Sequence, residues 1–140
     1  MAVTPCRILC VEDDEDSCFM LKALFETWGY EVTTAGGVEA ALRLIRPQSF
    51  DLFILDNRFA DGSGVDLCRR IRAADPQTPI VFYSGAALEA DRERGLGAGA
   101  QAYVIKPDID GLLAAVKELL EDERCVTVNG SVAAQAYGAR

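Results

Sequence analysis

The sequence predicts an α/β fold: a doubly wound parallel sheet with helices on both faces. Two observations predict it. Short aliphatic runs alternate with stretches of helical periodicity along the whole chain, which is the signature of repeated βαβ units. Runs such as Ile8-Leu9-Cys10-Val11 and Leu52-Phe53-Ile54-Leu55 are apolar at every position, which suits strands covered on both faces rather than one.

Five strands are predicted, at 7–11, 31–35, 51–55, 79–84 and 102–105. The first helix repeats apolar residues from Phe19 to Trp28, with Asp14 or Asp16 as its N-cap and Gly29 as its C′ residue. In the second helix Val38, Ala41, Leu42 and Ile45 fall on one face, and Pro47 follows. Val65, Cys68 and Ile71 mark the third, after which Pro76 and Pro79 bracket a loop. The fourth, at 88–98, has few apolar anchors and contains Gly95 and Gly97. Each glycine costs about 1 kcal/mol relative to alanine, so a loosely held helix is expected. Ile109, Leu112, Leu113, Val116 and Leu120 define the fifth. One domain at 1–125 is expected, followed by a tail at 126–140 that is frayed or a short extension.

The 140-residue chain is long enough to bury a core without a metal or disulfide framework. Its net charge of −8 argues against direct binding to nucleic acid or to an anionic membrane, since both require a basic footprint. No apolar run approaches the length of a membrane span, and Met1 to Pro5 lack the character of a signal peptide. The five cysteines, Cys6, Cys10, Cys18, Cys68 and Cys125, read as reduced thiols of a cytoplasmic protein. With no histidine present, a Ser-His or Cys-His triad cannot be built, and a zinc site is disfavoured.

Ligands of open parallel sheets bind outside the carboxyl ends of the strands. Glu12 and Asp13 end the first predicted strand, Asp56 the third, Ser84 the fourth and Lys106 the fifth. Two like charges about 4 Å apart repel by about 4 kcal/mol at an effective dielectric near 20. Three carboxylates facing one ammonium therefore call for a cation, and hard oxygen donors suit Mg2+.

The motifs at this edge resemble the receiver domain of two-component response regulators. The resemblance spans about residues 6–123. It is carried by Ile8-Leu9-Cys10-Val11-Glu12-Asp13-Asp14, Asp51-Leu52-Phe53-Ile54-Leu55-Asp56, Asp61-Gly62-Ser63-Gly64, Val81-Phe82-Tyr83-Ser84-Gly85 and Tyr103-Val104-Ile105-Lys106-Pro107, in that order. It implies a flavodoxin-like (βα)5 fold with strand order 2-1-3-4-5. It further implies that Asp56 accepts a phosphoryl group from a histidine kinase or phosphotransfer protein. Mg2+ would be held by Glu12, Asp13, Asp56 and the backbone carbonyl of Arg58. Ser84 and Lys106 would bind phosphoryl oxygens, and Tyr103 would relay the change to a target-binding face of the fourth helix, fifth strand and fifth helix. Such a chain phosphorylates and slowly dephosphorylates itself but is not otherwise an enzyme. A second copy of the chain is a further candidate partner. Lys106-Pro107 is a candidate cis peptide that would turn the lysine inward.

Several residues depart from the family's usual pattern. Ala60 stands where proline is common, Gly85 where alanine is frequent, and Asp108 where an apolar residue is usual. Arg58 and Ala86 flank the site at the positions that tune acyl-phosphate lifetime in such proteins. The rival reading is a receiver-like interaction module that acts without phosphorylation. A Mg2+-dependent phosphatase is disfavoured, because the second Asp common in those enzymes is replaced by Arg58.

Overall fold

The computed structural model describes residues 5–121. In chain order the elements are β1 (Arg7–Val11), α1 (Glu15–Thr27), β2 (Glu31–Ala35), α2 (Val38–Ile45), β3 (Leu52–Leu55), β4 (Arg58–Phe59), β5 (Gly62–Ser63), α3 (Gly64–Ala74), β6 (Ile80–Ser84), α4 (Glu89–Gly97), β7 (Ala102–Ile105) and α5 (Ile109–Glu121). Five strands pair in parallel in the order β2-β1-β3-β6-β7. That is the expected order once the two-residue strands β4 and β5, which form a separate antiparallel ribbon, are counted apart.

Strand alternation divides the core into two layers. Leu9, Val11, Phe53, Leu55 and Phe82 point to one face and pack with Val38 and Ala41 of α2 and with Leu67, Cys68 and Ile71 of α3. Ile8, Cys10, Leu52, Ile54, Val81 and Tyr83 point to the other, against Leu21 and Phe25 of α1 and Leu112, Val116 and Leu120 of α5. Each fully buried side chain of this size contributes roughly 1.5–3 kcal/mol.

The expected boundaries shift at their ends. The third and fourth strands begin one residue late, at Leu52 and Ile80. Asp51 still bonds Arg7, its N–H donating to the Arg7 carbonyl while its carboxylate accepts from the Arg7 N–H, both at 2.7 Å. Helix α1 starts four residues before Phe19, because Asp14 is the N-cap and accepts from Ser17 N at 2.9 Å. Phe19, the first member of the apolar repeat, is 77% exposed and lies outside the core. Gly29, with φ of 93°, provides the positive φ expected just past the helix end.

Helix α4 is anchored as weakly as its composition implies: its only buried residue is Gly95. The α4–β7 turn is held from elsewhere, by Arg72, whose guanidinium donates to the carbonyls of Gly99, Asp75 and Thr78 and to Gln101 Oε1.

One expectation needs correction. Cys10, Cys18 and Cys68 are free thiols, but Cys6, also buried, is disulfide-bonded. Scattered cysteines in a sequence do not show which sulfurs the fold brings together, so Cys6 drops out of the argument for a reducing compartment. The expected tail at 126–140 and Cys125 lie outside the described residues. No helix among the described residues is long and apolar enough to cross a membrane.

Candidate functional site

Strand register delivers the polar residues to one edge. Val11 is opposite both Ala35 and Leu55, so Glu12 and Asp56, the next residues along, emerge side by side. The ladders run one residue beyond the strands: Glu12 N donates to Ala35 O at 2.9 Å and Asp56 N to Val11 O at 3.1 Å. On the far side Ser84 is opposite Ile105, and Lys106 N donates to Ser84 O at 2.9 Å. The Lys106-Pro107 peptide is cis, the alternative named for it from sequence.

Glu12, Asp13 and Asp56 each bring a carboxylate oxygen to within 4.8 Å of the others. Their exposure is graded: Glu12 is buried, Asp56 half-buried and Asp13 exposed. Lys106 Nζ donates to Glu12 Oε1 at 2.7 Å and to Asp56 Oδ2 at 3.0 Å. The other Glu12 oxygen accepts from Asp14 N at 3.1 Å, and Asp56 Oδ1 accepts from Asn57 N at 2.6 Å. Burial holds the Glu12 carboxyl above its usual range, against the pull of Lys106 and Asp14 N. Burial pushes Lys106 the other way, but its bonds to Glu12 and Asp56 outweigh that and hold the ammonium above its usual range. The lysine stays charged, and its one ammonium bonds two of the three clustered carboxylates, Glu12 and Asp56. That donor set, all hard oxygen with an uncompensated negative charge, fits a small divalent cation.

Ser84 and Tyr103 form a second cluster centred on Ala86. The buried Ser84 hydroxyl accepts from Ala86 N at 3.1 Å, and the Tyr103 hydroxyl donates to Ala86 O at 2.7 Å. One peptide residue thus connects both side chains. The Tyr103 ring stacks on Phe82 with centroids 5.4 Å apart, and it lies under α4 where a Cβ on Gly95 would approach Tyr103 Cδ2 to 2.9 Å. The two flanking positions differ: Arg58 is exposed and lines a cleft of about 450 Å³ with Asn57, Ser63, Asp91 and Arg94, whereas Ala86 contributes backbone bonds. A second cleft of about 460 Å³ opens beside Glu12 and Asp13, walled by Cys18, Phe19 and Lys22.

Three supports came with no role assigned to them from the sequence. The Tyr83 ring lies 5.8 Å from Lys106 Nζ, close enough for a cation–π attraction that helps fix the lysine. The Asn57 amide orients the Asp56 carboxylate. Gly64 lets α3 start directly against Asp56, since a Cβ there would overlap the Asp56 carbonyl oxygen at 1.9 Å. Gly64 and Tyr83 stood within sequence motifs, Asp61-Gly62-Ser63-Gly64 and Val81-Phe82-Tyr83-Ser84-Gly85, without any sign of these contacts.

Comparison with known proteins agrees with this geometry. The family described as response regulator receiver domain matches residues 8–135. The chain is 36% identical over 114 residues to the transcriptional regulatory protein ZraR of Escherichia coli, covering 81% of this chain and 26% of that protein. It is 40% identical over 119 residues to the phosphate regulon transcriptional regulatory protein PhoB of Rhizobium meliloti, covering 81% and 52%. The chain therefore spans about a quarter to a half of these relatives' length. Among solved structures, the response regulator TrrA from Thermotoga maritima, in complex with Mg2+-BeF, superimposes with a TM-score of 0.75 at 32% identity, covering 82% of this chain and 99% of that one. Fold, edge geometry and matched length together place the chain in the response regulator receiver domain family.

Proposed function

We propose that the chain is a phosphorylation-operated switch: Asp56 accepts a phosphoryl group from a phosphohistidine of a sensor kinase or phosphotransfer protein, with Mg2+ as cofactor. The observation that carries this reading is the Glu12, Asp13 and Asp56 cluster within 4.8 Å, with Lys106 bridging Glu12 and Asp56. TrrA, a relative of the same fold, was crystallised with Mg2+ and BeF, which supports the ion chosen.

An Asp56 carboxylate oxygen attacks phosphorus, the P–N bond to the donor imidazole breaks, and an acyl phosphate forms on Asp56. Glu12, Asp13, Asp56 and the Arg58 carbonyl would hold Mg2+, which would supply positive charge to neutralise phosphoryl oxygens. Lys106 already bonds the accepting carboxylate, so its ammonium is placed to follow the charge onto a phosphoryl oxygen. Ser84 uses its oxygen to accept from Ala86 N, and its own O–H is the donor assigned to a second phosphoryl oxygen. A shift of Ser84 moves Ala86, and Tyr103 is bonded to the same residue. The surface of α4, β7 and α5 changes its affinity for a target protein in consequence. The chain acts as phosphoryl acceptor and not as a turnover enzyme. A cytoplasmic setting is part of this proposal.

Amide spectra recorded with Mg2+ and beryllofluoride test this reading. Shifts at Ser84, Ala86 and Tyr103 are expected in wild type and not in Asp56→Asn. No response in wild type overturns it. The rival reading, a face used without phosphorylation, draws on the Tyr103–Ala86 bond that is present already. Equal target affinity of wild type and Asp56→Ala would favour that rival.

A further inference from the structure

We propose that Asp61 is a positioning residue for the metal side of the site, tying the ribbon that begins at Arg58 to the N-terminus of α2. This rests on the reading above and concerns a residue that reading does not use. Helix α2 starts after Gly37, which has no side chain to cap it. The first N–H groups of a helix find no partner within the helix. Asp61 supplies one from across the fold: Oδ1 accepts from Val38 N at 2.9 Å and Oδ2 from Glu39 N at 3.1 Å. Both oxygens of one carboxylate are engaged, and its charge meets the positive end of the helix dipole. The bonds from Glu39 N and Val38 N hold the Asp61 carboxyl below its ordinary range.

The glycines on either side of the contact make it possible. A Cβ on Gly37 would lie 2.6 Å from Asp61 Oδ1, so the carboxylate reaches α2 only over a glycine. Gly62, at φ of 155°, turns the chain directly after Asp61, where a Cβ would come within 3.0 Å of Val38 Cγ2. The ribbon itself is minimal, with Arg58 opposite Ser63 and Phe59 opposite Gly62. Ala60 gives its turn no ring constraint. The two Asp61 bonds therefore anchor the turn from outside, and α2 is in turn seated on the sheet through the buried Val38 and Ala41. The backbone that carries the Arg58 carbonyl is held in place by a helix that supplies none of the three carboxylates.

The experiment compares wild type, Asp61→Ala, Asp61→Asn, Gly37→Ala and Ala40→Gly. Hydrogen exchange of the Val38 and Glu39 amides and of residues 58–63 is read in metal-free protein, followed by Mg2+ titration of the amide spectra. In Asp61→Ala, exchange at those amides and the Mg2+ concentration for half-saturation should each rise about fivefold, the size of a lost helix cap. Asp61→Asn should show a smaller rise, and it serves if the alanine variant does not fold. Gly37→Ala keeps the carboxylate but crowds it, so it should move both readouts in the same direction. Ala40→Gly weakens α2 without touching Asp61 and should leave Mg2+ half-saturation at the wild-type value. Unchanged half-saturation in Asp61→Ala, or an equal rise in Ala40→Gly, overturns the positioning role alone. A wild-type chain that binds no Mg2+ overturns the preceding reading and this role with it.

Discussion

Lys106 Nζ lies closer to Glu12, at 2.7 Å, than to Asp56, at 3.0 Å. The lysine is therefore shared between the buried Glu12 and the half-buried Asp56, and its shorter bond goes to the less exposed of the two acids.

Removing that ammonium should be costly while the site lacks a cation. Lys106→Met leaves Glu12 without its charged partner, and a loss of about 2–3 kcal/mol is expected, below the full value of a buried pair because one side of the cluster is open to water. Mg2+ should narrow the deficit, since it supplies the missing positive charge. Chemical denaturation of wild type and variant, in chelator and in Mg2+, checks both statements. A deficit that is the same in the two conditions would contradict the shared role.

Tyr103→Phe removes one hydrogen bond and leaves the ring stacked on Phe82. A stability loss of about 1 kcal/mol is expected, with faster hydrogen exchange between Ser84 and Leu88. Because Tyr103 touches none of the three carboxylates, phosphoryl uptake on Asp56 should stay near the wild-type rate while the response of α4 is blunted. Radiolabel transfer and amide spectra separate the two effects.

Acid should reveal Asp75, at the C-terminal end of α3. Its carboxylate accepts from Thr78 Oγ1, Gln77 N and Thr78 N. Burial pushes its pKa up, but those bonds outweigh it and the folded value lies below the ordinary 3.8. Its stabilising contribution is thus complete above about pH 3.8 and is lost as pH falls through the lower folded value. Melting temperatures of wild type and Asp75→Ala should differ by a constant amount near neutrality and converge in strong acid.

Much of this architecture was legible because it is written in short-range pattern. Short runs rich in aliphatic and β-branched residues located β1, β2 and β7 at their observed limits and β3 and β6 to within one residue. Helix α4 was recognisable as weakly anchored from its two glycines and few apolar anchors, and its single buried residue agrees. The ribbon of β4 and β5 escaped notice because two-residue strands are too short to show a period. The disulfide at Cys6 escaped because sulfur pairing depends on where the chain returns, which spacing does not record.

By itself the sequence determined the order of strands and helices and the identities of the acidic pair, Asp56, Ser84 and Lys106, since residue type and periodicity are local properties. Tertiary structure alone decided how they are used. It put Lys106 on Glu12 as well as on Asp56, turned Tyr103 to Ala86, seated Lys106 beside Tyr83, and brought Asp61 to the end of α2. Those relationships join segments far apart in the chain, and only strand register and packing set the distances between them.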